Sequence, residues 1–153
     1  MLAAQRFMTL DWRHGWSSVH IFSFILAHCN CAEGGCAKLK RLDLSGCSML
    51  SAELLVSIVS RASELVTLVL ESDYRLNNAA IQAFARSSSL PVFSPHDCRN
   101  SRQLEQVNFR NCKEIGAQAL EALTELPKLT SINFAKLPLL AAPACESAIV
   151  ALV

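Results

Sequence analysis

Four side chains of the types that bind zinc lie close together near the amino terminus. His28, Cys29, Cys31 and Cys36 fall within nine residues, and thiolates with imidazole are the ligands that zinc prefers in tetrahedral sites. No second ligand pair follows at zinc-finger spacing, and Cys29 lies where a predicted helix would bury it. We therefore interpret the cluster as structural, and we predict neither a metal nor a cofactor.

The sequence carries no recognisable catalytic motif. It has no GxSxG element, no glycine-rich phosphate loop and no HExxH helix, which are the arrangements typical of nucleophilic, phosphate-binding and metallopeptidase sites. His14, His20 and His96 have no acidic or cysteine partner at a recognisable spacing, so solvated or core histidines are the ordinary interpretation. We predict that the protein is not an enzyme.

The composition is that of one globular domain with a substantial core. The chain has 153 residues, 52% of them hydrophobic and 18% charged, and a formal net charge of +1. No polybasic block favours nucleic acid or anionic lipid, and the strongest apolar run, residues 19–27, is far shorter than a transmembrane segment. Seven cysteines could suggest a disulfide framework, but Cys47 and Cys112 fall on core positions of a repeated apolar pattern and there is no clear secretory signal. We therefore predict that these two are buried, unpaired thiols and that the location is reducing and cytoplasmic. Arg6 and Arg13, with one acidic residue near them, leave mitochondrial import as the alternative.

One spacing of apolar residues occurs four times, and it must set the positions of the functional side chains. Four frames begin 26, 39 and 25 residues apart, at Leu39, Leu65, Leu104 and Leu129. The fourth position of each frame holds Leu42, Leu68, Val107 and Ile132; the sixth holds Leu44, Leu70, Phe109 and Phe134; the ninth holds Cys47, Asp73, Cys112 and Leu137. Further along each of the first three frames the apolar residues lie three apart, as in Leu55 with Ile58, Ile81 with Phe84, and Leu120 with Leu123.

Each frame predicts one short strand followed by one helix. Apolar residues at alternate positions are typical of a strand with one buried face, and apolar residues three and four apart are typical of an amphipathic helix. A unit this small cannot bury its own apolar face, so neighbouring units must stack. The predicted fold is α/β, a leucine-rich-repeat solenoid with short parallel strands on the concave face and helices on the convex face.

The pattern LxxLxLxxC, which ends at Cys47 and again, with substitutions, at Cys112, resembles the cysteine-containing class of leucine-rich repeats. This class is found in F-box receptor subunits of ubiquitin ligases, in their F-box-free relatives of the mitotic-exit antagonist type, and in mitochondrial ATP synthase factor B. The resemblance covers residues 39–153, read as four repeats. It implies a scaffold rather than one function, because these relatives share a fold and differ in partner.

Two segments fall outside the repeated frames. In the amino-terminal segment 1–38, apolar residues at helical spacing over about 17–29 predict a helix that caps the first unit. The alternative is a remnant of an F-box, because IFSF at 21–24 resembles the second half of that motif. The insertion near 91–103 has two prolines and no period, so we predict a surface loop with Cys98 as its accessible thiol. Such a loop either contacts a partner or is simply tolerated.

The predicted binding surface is the concave face of the sheet. Strand residues that alternate with the core leucines should point there, and they form a mixed polar face that either binds a protein or is simply solvated. These residues are Arg41, Asp43, Ser45, Thr67, Val69, Glu71, Gln106, Asn108, Arg110, Ser131 and Asn133.

The last stretch of the sequence, residues 137–153, has one charged residue and predicts a helix with two apolar sides. Ile149 and Leu152 should therefore be covered by another subunit or a further repeat, unless the helix folds fully onto the fourth unit. We expect a protein-protein interaction scaffold, for which the resemblance implies a substrate-recognition or adaptor role in a ubiquitin-ligase pathway. The alternative is a structural or assembly subunit of a large complex, with a mitochondrial complex as one option. We expect neither a nucleic-acid partner nor a transmembrane segment.

Overall fold

The chain is described here by a computed structural model, which covers residues 39–47, 50–89 and 103–140. Strands and helices alternate along these ranges, so the predicted α/β class is confirmed. The elements are β1 (Arg41–Asp43), α1 (Ala52–Arg61), β2 (Thr67–Val69), α2 (Asn78–Ser89), β3 (Gln106–Asn108), α3 (Ala117–Leu123) and β4 (Ser131–Asn133), followed by a short 3₁₀ helix at Pro138–Leu140.

The four strands form one parallel sheet in chain order, β1-β2-β3-β4. The fourth residues of the frames lie in one row, since Leu42 pairs with Leu68, Leu68 with Val107, and Val107 with Ile132. Parallel strands require a crossover between them, and each crossover in this sheet contains a helix. The longer connection between β2 and β3 therefore leaves the strand register unchanged.

One hydrophobic core joins the strands to the helices. The helix positions predicted to face inward are all buried: Leu55, Ile58, Ile81, Phe84, Leu120 and Leu123. The prediction that Leu44, Leu68, Phe109 and Leu120 are core residues is confirmed, since each side chain is fully buried. Burying one such leucine or phenylalanine contributes roughly 1.5 to 3 kcal/mol to folding. The helices pack in the same order as the strands, because α1 contacts α2 and α2 contacts α3.

Burial decreases in the fourth unit. Leu129, Ile132, Phe134 and Leu140 pack against the core but are only partly buried, and Leu139 is 47% exposed. The corresponding residues of the third unit, Leu104, Val107, Phe109 and Ile115, are buried. β4 is the last strand of the described sheet and has a described neighbour on one side only.

Polar side chains hold the first turns of the helices. Ser51 is the N-cap of α1, and its Oγ accepts a hydrogen bond from the Leu54 amide at 3.3 Å. Asn77 Oδ1 accepts from the Ala80 amide at 2.9 Å in the first turn of α2. The next residue, Asn78, accepts from the amide of Gly116 at 2.7 Å, and this bond links the start of α2 to the start of α3.

Several predictions concern parts of the chain outside the described residues. These are the capping helix at 17–29, the cluster of His28, Cys29, Cys31 and Cys36, the insertion with Cys98, and the terminal helix with Ile149 and Leu152. They stay predictions. Within the described ranges, no helix combines the length and the apolar character that crossing a bilayer requires.

Candidate interaction surface

The outward side chains of the four strands lie in two rows across the sheet. Strand pairing places Arg41, Thr67, Gln106 and Ser131 in the first row, and Asp43, Val69, Asn108 and Asn133 in the second. In the first row Thr67 Oγ1 donates a hydrogen bond to Gln106 Oε1 at 3.4 Å. The other two members, Arg41 and Ser131, are exposed, so this row is accessible to a partner.

The polar residues of the second row shape the backbone as well as the surface. Asp43 Oδ1 accepts from the Ser45 amide at 3.1 Å, Asn108 Oδ1 from the amide of Arg110 at 2.9 Å, and Asn133 Oδ1 from the Ala135 amide at 3.1 Å. Each is an Asx turn, in which the side-chain oxygen takes the place of a backbone carbonyl and accepts a hydrogen bond from the amide two residues later. These three side chains therefore stabilise the turn in which the chain leaves each strand.

Val69 does not offer the exposed side chain that the sequence predicted for it. It is only 7% exposed, although it lies outside the main cluster of core residues. It lies between Asp43 and Asn108 on the two neighbouring strands, and Asn108 Nδ2 reaches Glu71 Oε2 at 3.5 Å, two residues after Val69. Val69 is therefore a buried residue within this outward row.

The turns that follow the strands repeat one backbone conformation. We define the exit turns as residues 44–47, 70–74, 109–113 and 134–137. Each contains one residue with φ between 61° and 73°, at the eighth position of its frame: Gly46, Ser72, Asn111 and Lys136. This left-handed region is uncommon outside glycine and asparagine, so tertiary contacts must hold it.

Hydrogen bonds between neighbouring exit turns supply those contacts. The amide of Gly46 donates to the Glu71 carbonyl at 2.8 Å, that of Ser72 to the Arg110 carbonyl at 2.9 Å, and that of Asn111 to the Ala135 carbonyl at 3.0 Å. The turns therefore form a ladder that continues the sheet beyond the ends of its strands. Side chains on this ladder are held in fixed positions relative to one another.

Tyr74 is the most prominent side chain on the ladder. It is 51% exposed, and Lys113 Nζ lies 5.4 Å from the centre of its ring, within the range of a cation-π contact. Asn111 Nδ2 donates to Ser72 Oγ at 3.0 Å and to the Tyr74 hydroxyl at 3.4 Å. This exposed aromatic ring is therefore contacted on its face by Lys113 and at its hydroxyl by Asn111.

Glu71 connects this group to the strand ends. Its Oε1 lies 3.4 Å from Arg110 Nη1, so two of the predicted surface residues form an ion pair. Beside them, Ser45, Gly46, Glu71 and Ser72 line an open recess of about 270 Å³. The structure thus brings together Ser45, Glu71, Asn108 and Arg110 from the predicted face.

The ninth position of each frame lies beneath the exit turns, in the core. Cys47, Asp73, Cys112 and Leu137 are all buried there, which confirms the prediction of buried cysteines at 47 and 112. Burial, with a smaller contribution from the Asp73 charge, raises the pKa of both thiols to about 11. Cys112 Sγ also donates to the Leu70 carbonyl at 2.9 Å. Thiols held in this protonated form are poor nucleophiles and poor metal ligands.

Asp73 places a carboxyl group where the other units have cysteine or leucine. Its Oδ1 accepts from the Arg75 amide at 3.1 Å, whereas Oδ2 is buried without a hydrogen-bond partner. Burial raises the pKa of this carboxyl group to about 6, although the amides of Arg75 and Leu76 and the Arg75 charge favour ionisation. Asp73 is therefore a buried acid that titrates close to neutral pH.

Metal binding finds no support in this part of the chain. Among the described residues, no group of three or more His, Cys, Asp or Glu side chains is placed to hold a metal ion. The sequence matches no protein-family model and no curated protein. The surface must therefore be interpreted from its own chemistry.

Sequence reasoning missed the exposed group formed by Ser72, Tyr74, Asn111 and Lys113. Strand alternation assigns directions only within the strands, and these residues lie in the turns after them. The available signal was Tyr74 itself, the only tyrosine of the chain, one residue after the ninth position of its frame. A large aromatic residue beside a turn is a candidate for binding rather than for the core.

Proposed function

We propose that the chain is a leucine-rich-repeat solenoid whose units form a non-enzymatic scaffold for a protein partner. The support for repeated units is structural as well as sequential. Each strand carries a residue of the same register row, each exit turn carries a left-handed residue at the same position, and each ninth position is buried. Arrays of such units present an extended surface suited to binding another macromolecule.

The observation that carries the proposal is the fixed, exposed ring of Tyr74. Tyrosine and arginine are enriched among the residues that dominate binding energy in protein interfaces, and Arg110 lies in the same group through its ion pair with Glu71. A side chain ordered before binding loses less conformational entropy on association. The partner would contact the exit turns and the neighbouring strand ends, with Tyr74 as its anchor.

Site-specific photo-crosslinking in the full chain tests this surface. A photoreactive phenylalanine derivative replaces Tyr74 in one variant and Gln118, an exposed residue of α3, in the matched control. A partner should be captured from position 74 and not from position 118. Equal capture from both positions would count against the proposed surface.

Binding measurements with the captured and then purified partner make the test quantitative. Tyr74→Ala and Arg110→Ala should each weaken binding by about tenfold or more, the effect of losing roughly 1.4 kcal/mol or more of binding energy. Gln118→Ala should leave the affinity within about twofold, as expected of a residue outside the interface. Unchanged affinity in both surface variants would exclude Tyr74 as an anchor.

The family resemblance extends the proposal to substrate recognition or adaptor work in a cytoplasmic ubiquitin-ligase pathway. A chain of this kind would need a separate subunit to reach the ligase, and copurification with a cullin-ligase adaptor would support this role. Capture of a partner at Tyr74 from cells in which no such adaptor copurifies would argue against it.

A second candidate, a structural or assembly subunit of a large complex, is favoured by the fourth unit. Leu139 is 47% exposed, and Ile132 and Phe134 of the same unit are only partly buried, which leaves apolar area for a neighbouring subunit. Leu139→Glu should then release the chain from its complex, as measured by the sedimentation of cell extracts. The control is Lys136→Glu, which puts the same acidic group on an exposed residue of the preceding turn. Unchanged sedimentation of the Leu139 variant would exclude the apolar surface of the fourth unit as a subunit contact.

A further inference from the structure

Asp73 is the one buried polar or charged residue of the described chain, and its surroundings suit the acid better than the carboxylate. Its side chain is fully buried, and its Oδ2 atom has no hydrogen-bond partner. A neutral carboxyl group is far cheaper to bury than an ion, which must gain a partner or water. The position itself normally tolerates a neutral group, since the same place is filled by Cys47, Cys112 and Leu137 in the other units.

The charged groups around Asp73 do not supply a buried counter-ion. The first exit turn contributes the Cys47 thiol, and the third contributes the Cys112 thiol, both protonated because burial raises their pKa. Asp43 and Glu71 act on these thiols as further negative charges. Among the described residues, the positive charge that acts on Asp73 is that of the exposed Arg75 in its own turn, which water screens.

We propose that Asp73 is a proton-controlled switch in the second exit turn: the neutral acid holds the turn in the geometry described above, and ionisation draws the carboxylate towards water and displaces Tyr74. Tyr74 is the next residue in the chain, so a movement of the Asp73 backbone must pass to it directly. On the other side of Asp73, Ser72 accepts a hydrogen bond from Asn111. A movement of the turn would therefore change the contacts that Tyr74 makes with Asn111 and Lys113. The inference concerns the turn alone and does not depend on the proposed partner.

The single tyrosine of the chain provides the readout. Ring-labelled tyrosine gives one set of NMR resonances, which belongs to Tyr74 and can be followed in the full chain from about pH 4 to about pH 8. In the wild type the resonance should move as a one-proton curve with its midpoint at about 6, the pKa of Asp73. In Asp73→Asn, which preserves the oxygen bonded to the Arg75 amide, this movement should disappear.

Control variants separate Asp73 from the other titrating groups. Histidine ordinarily titrates in the same pH range, so any contribution of the four histidines of the chain would persist in Asp73→Asn. Asp43→Asn and Glu71→Gln remove the neighbouring carboxylates and should leave the titration in place. If Asp73→Asn does not fold, Asp73→Cys introduces the residue that this position carries in the first and third units.

The titration has two outcomes that would overturn the switch. The first is an unchanged Tyr74 titration in the folded Asp73 variant, which would assign the movement to another group. The second is a Tyr74 resonance that stays constant while the carboxyl carbon of Asp73 titrates, which would show that the acid ionises without moving the turn.

Discussion

Replacing Asp73 with Asn should stabilise the protein at neutral pH by an amount that the burial of the carboxyl group determines. The folded-state pKa is about 6 and the ordinary value is 3.8. Because one pKa unit corresponds to about 1.36 kcal/mol, the difference represents about 3 kcal/mol of folding free energy. Asparagine fits the same space and keeps an oxygen for the Arg75 amide, so the variant loses the cost of ionisation. Its new amide group lies where Oδ2 has no hydrogen-bond partner, and this adds a cost that does not depend on pH.

The sign follows from the raised pKa of the folded state. Below about pH 3.8 the carboxyl group is neutral in both states and costs nothing. As the pH rises from there through about 6, the unfolded chain ionises first, and the folded protein loses stability relative to it. The stability of Asp73→Asn relative to the wild type should therefore rise by up to about 3 kcal/mol between about pH 3 and about pH 8.

Urea unfolding followed by circular dichroism at a series of pH values measures this difference directly. Subtracting the wild-type free energy from that of the variant removes the titration of groups that the two proteins share. Asp43→Asn is the matched control, since Asp43 also accepts an amide hydrogen bond in an exit turn but is only partly buried. A difference in unfolding free energy between Asp73→Asn and the wild type that does not change with pH would refute the reasoning.

Three further predictions concern the core and the turns. Leu68→Ala should lower the free energy of unfolding in urea by about 2 to 5 kcal/mol, because it leaves a cavity beneath the sheet. Leu139→Ala, at a site 47% exposed, should change it by less than about 1 kcal/mol. Similar costs at the two sites would contradict the core assignment. Gly46→Ala should cost about 1 kcal/mol because φ at this position is 73°, a conformation that strains a residue with a Cβ. No atom lies within 4 Å of the added Cβ, so no steric clash adds to this cost. A stabilised variant in the same unfolding assay would show that the turn relaxes. Cys47 and Cys112 should be alkylated only on unfolding, because burial raises their pKa to about 11; peptide mass spectrometry that finds either one modified in the native protein would contradict their burial.

The strands, helices and core could be predicted from the sequence because the apolar spacing is regular. A period of two followed by steps of three and four assigned Leu68 to a strand and Leu120 to a helix, and both are fully buried. The frames also gave the correct strand partners across the long connection between β2 and β3. Burial in a repeated unit depends on neighbours of the same pattern, so periodicity carries most of that information.

The surface was harder to predict because its side chains interact with parts of the chain that periodicity does not describe. Alternation placed Val69 on the outward side, but its side chain is only 7% exposed. The frame put Asp73 at the ninth position, yet spacing contains nothing about the charge or the missing partner of a residue found there. Tyr74, one residue further on, lies in a turn whose form is fixed by hydrogen bonds to the next unit, so its exposure required the structure.

The ladder of exit turns gives the sheet a chemical direction across its strands. Within it, backbone amides of the first three exit turns donate to carbonyls of the turn that follows, and among the described residues no backbone hydrogen bond between exit turns runs the other way. A copy of the chain that extended this ladder would have to present the carbonyls of its first exit turn to the amides of the fourth. Two copies related by a two-fold axis bring identical surfaces together and cannot reproduce that arrangement. Any association that continues the ladder must therefore be head-to-tail, a geometry that leads to open polymers unless the rotation between copies closes a ring.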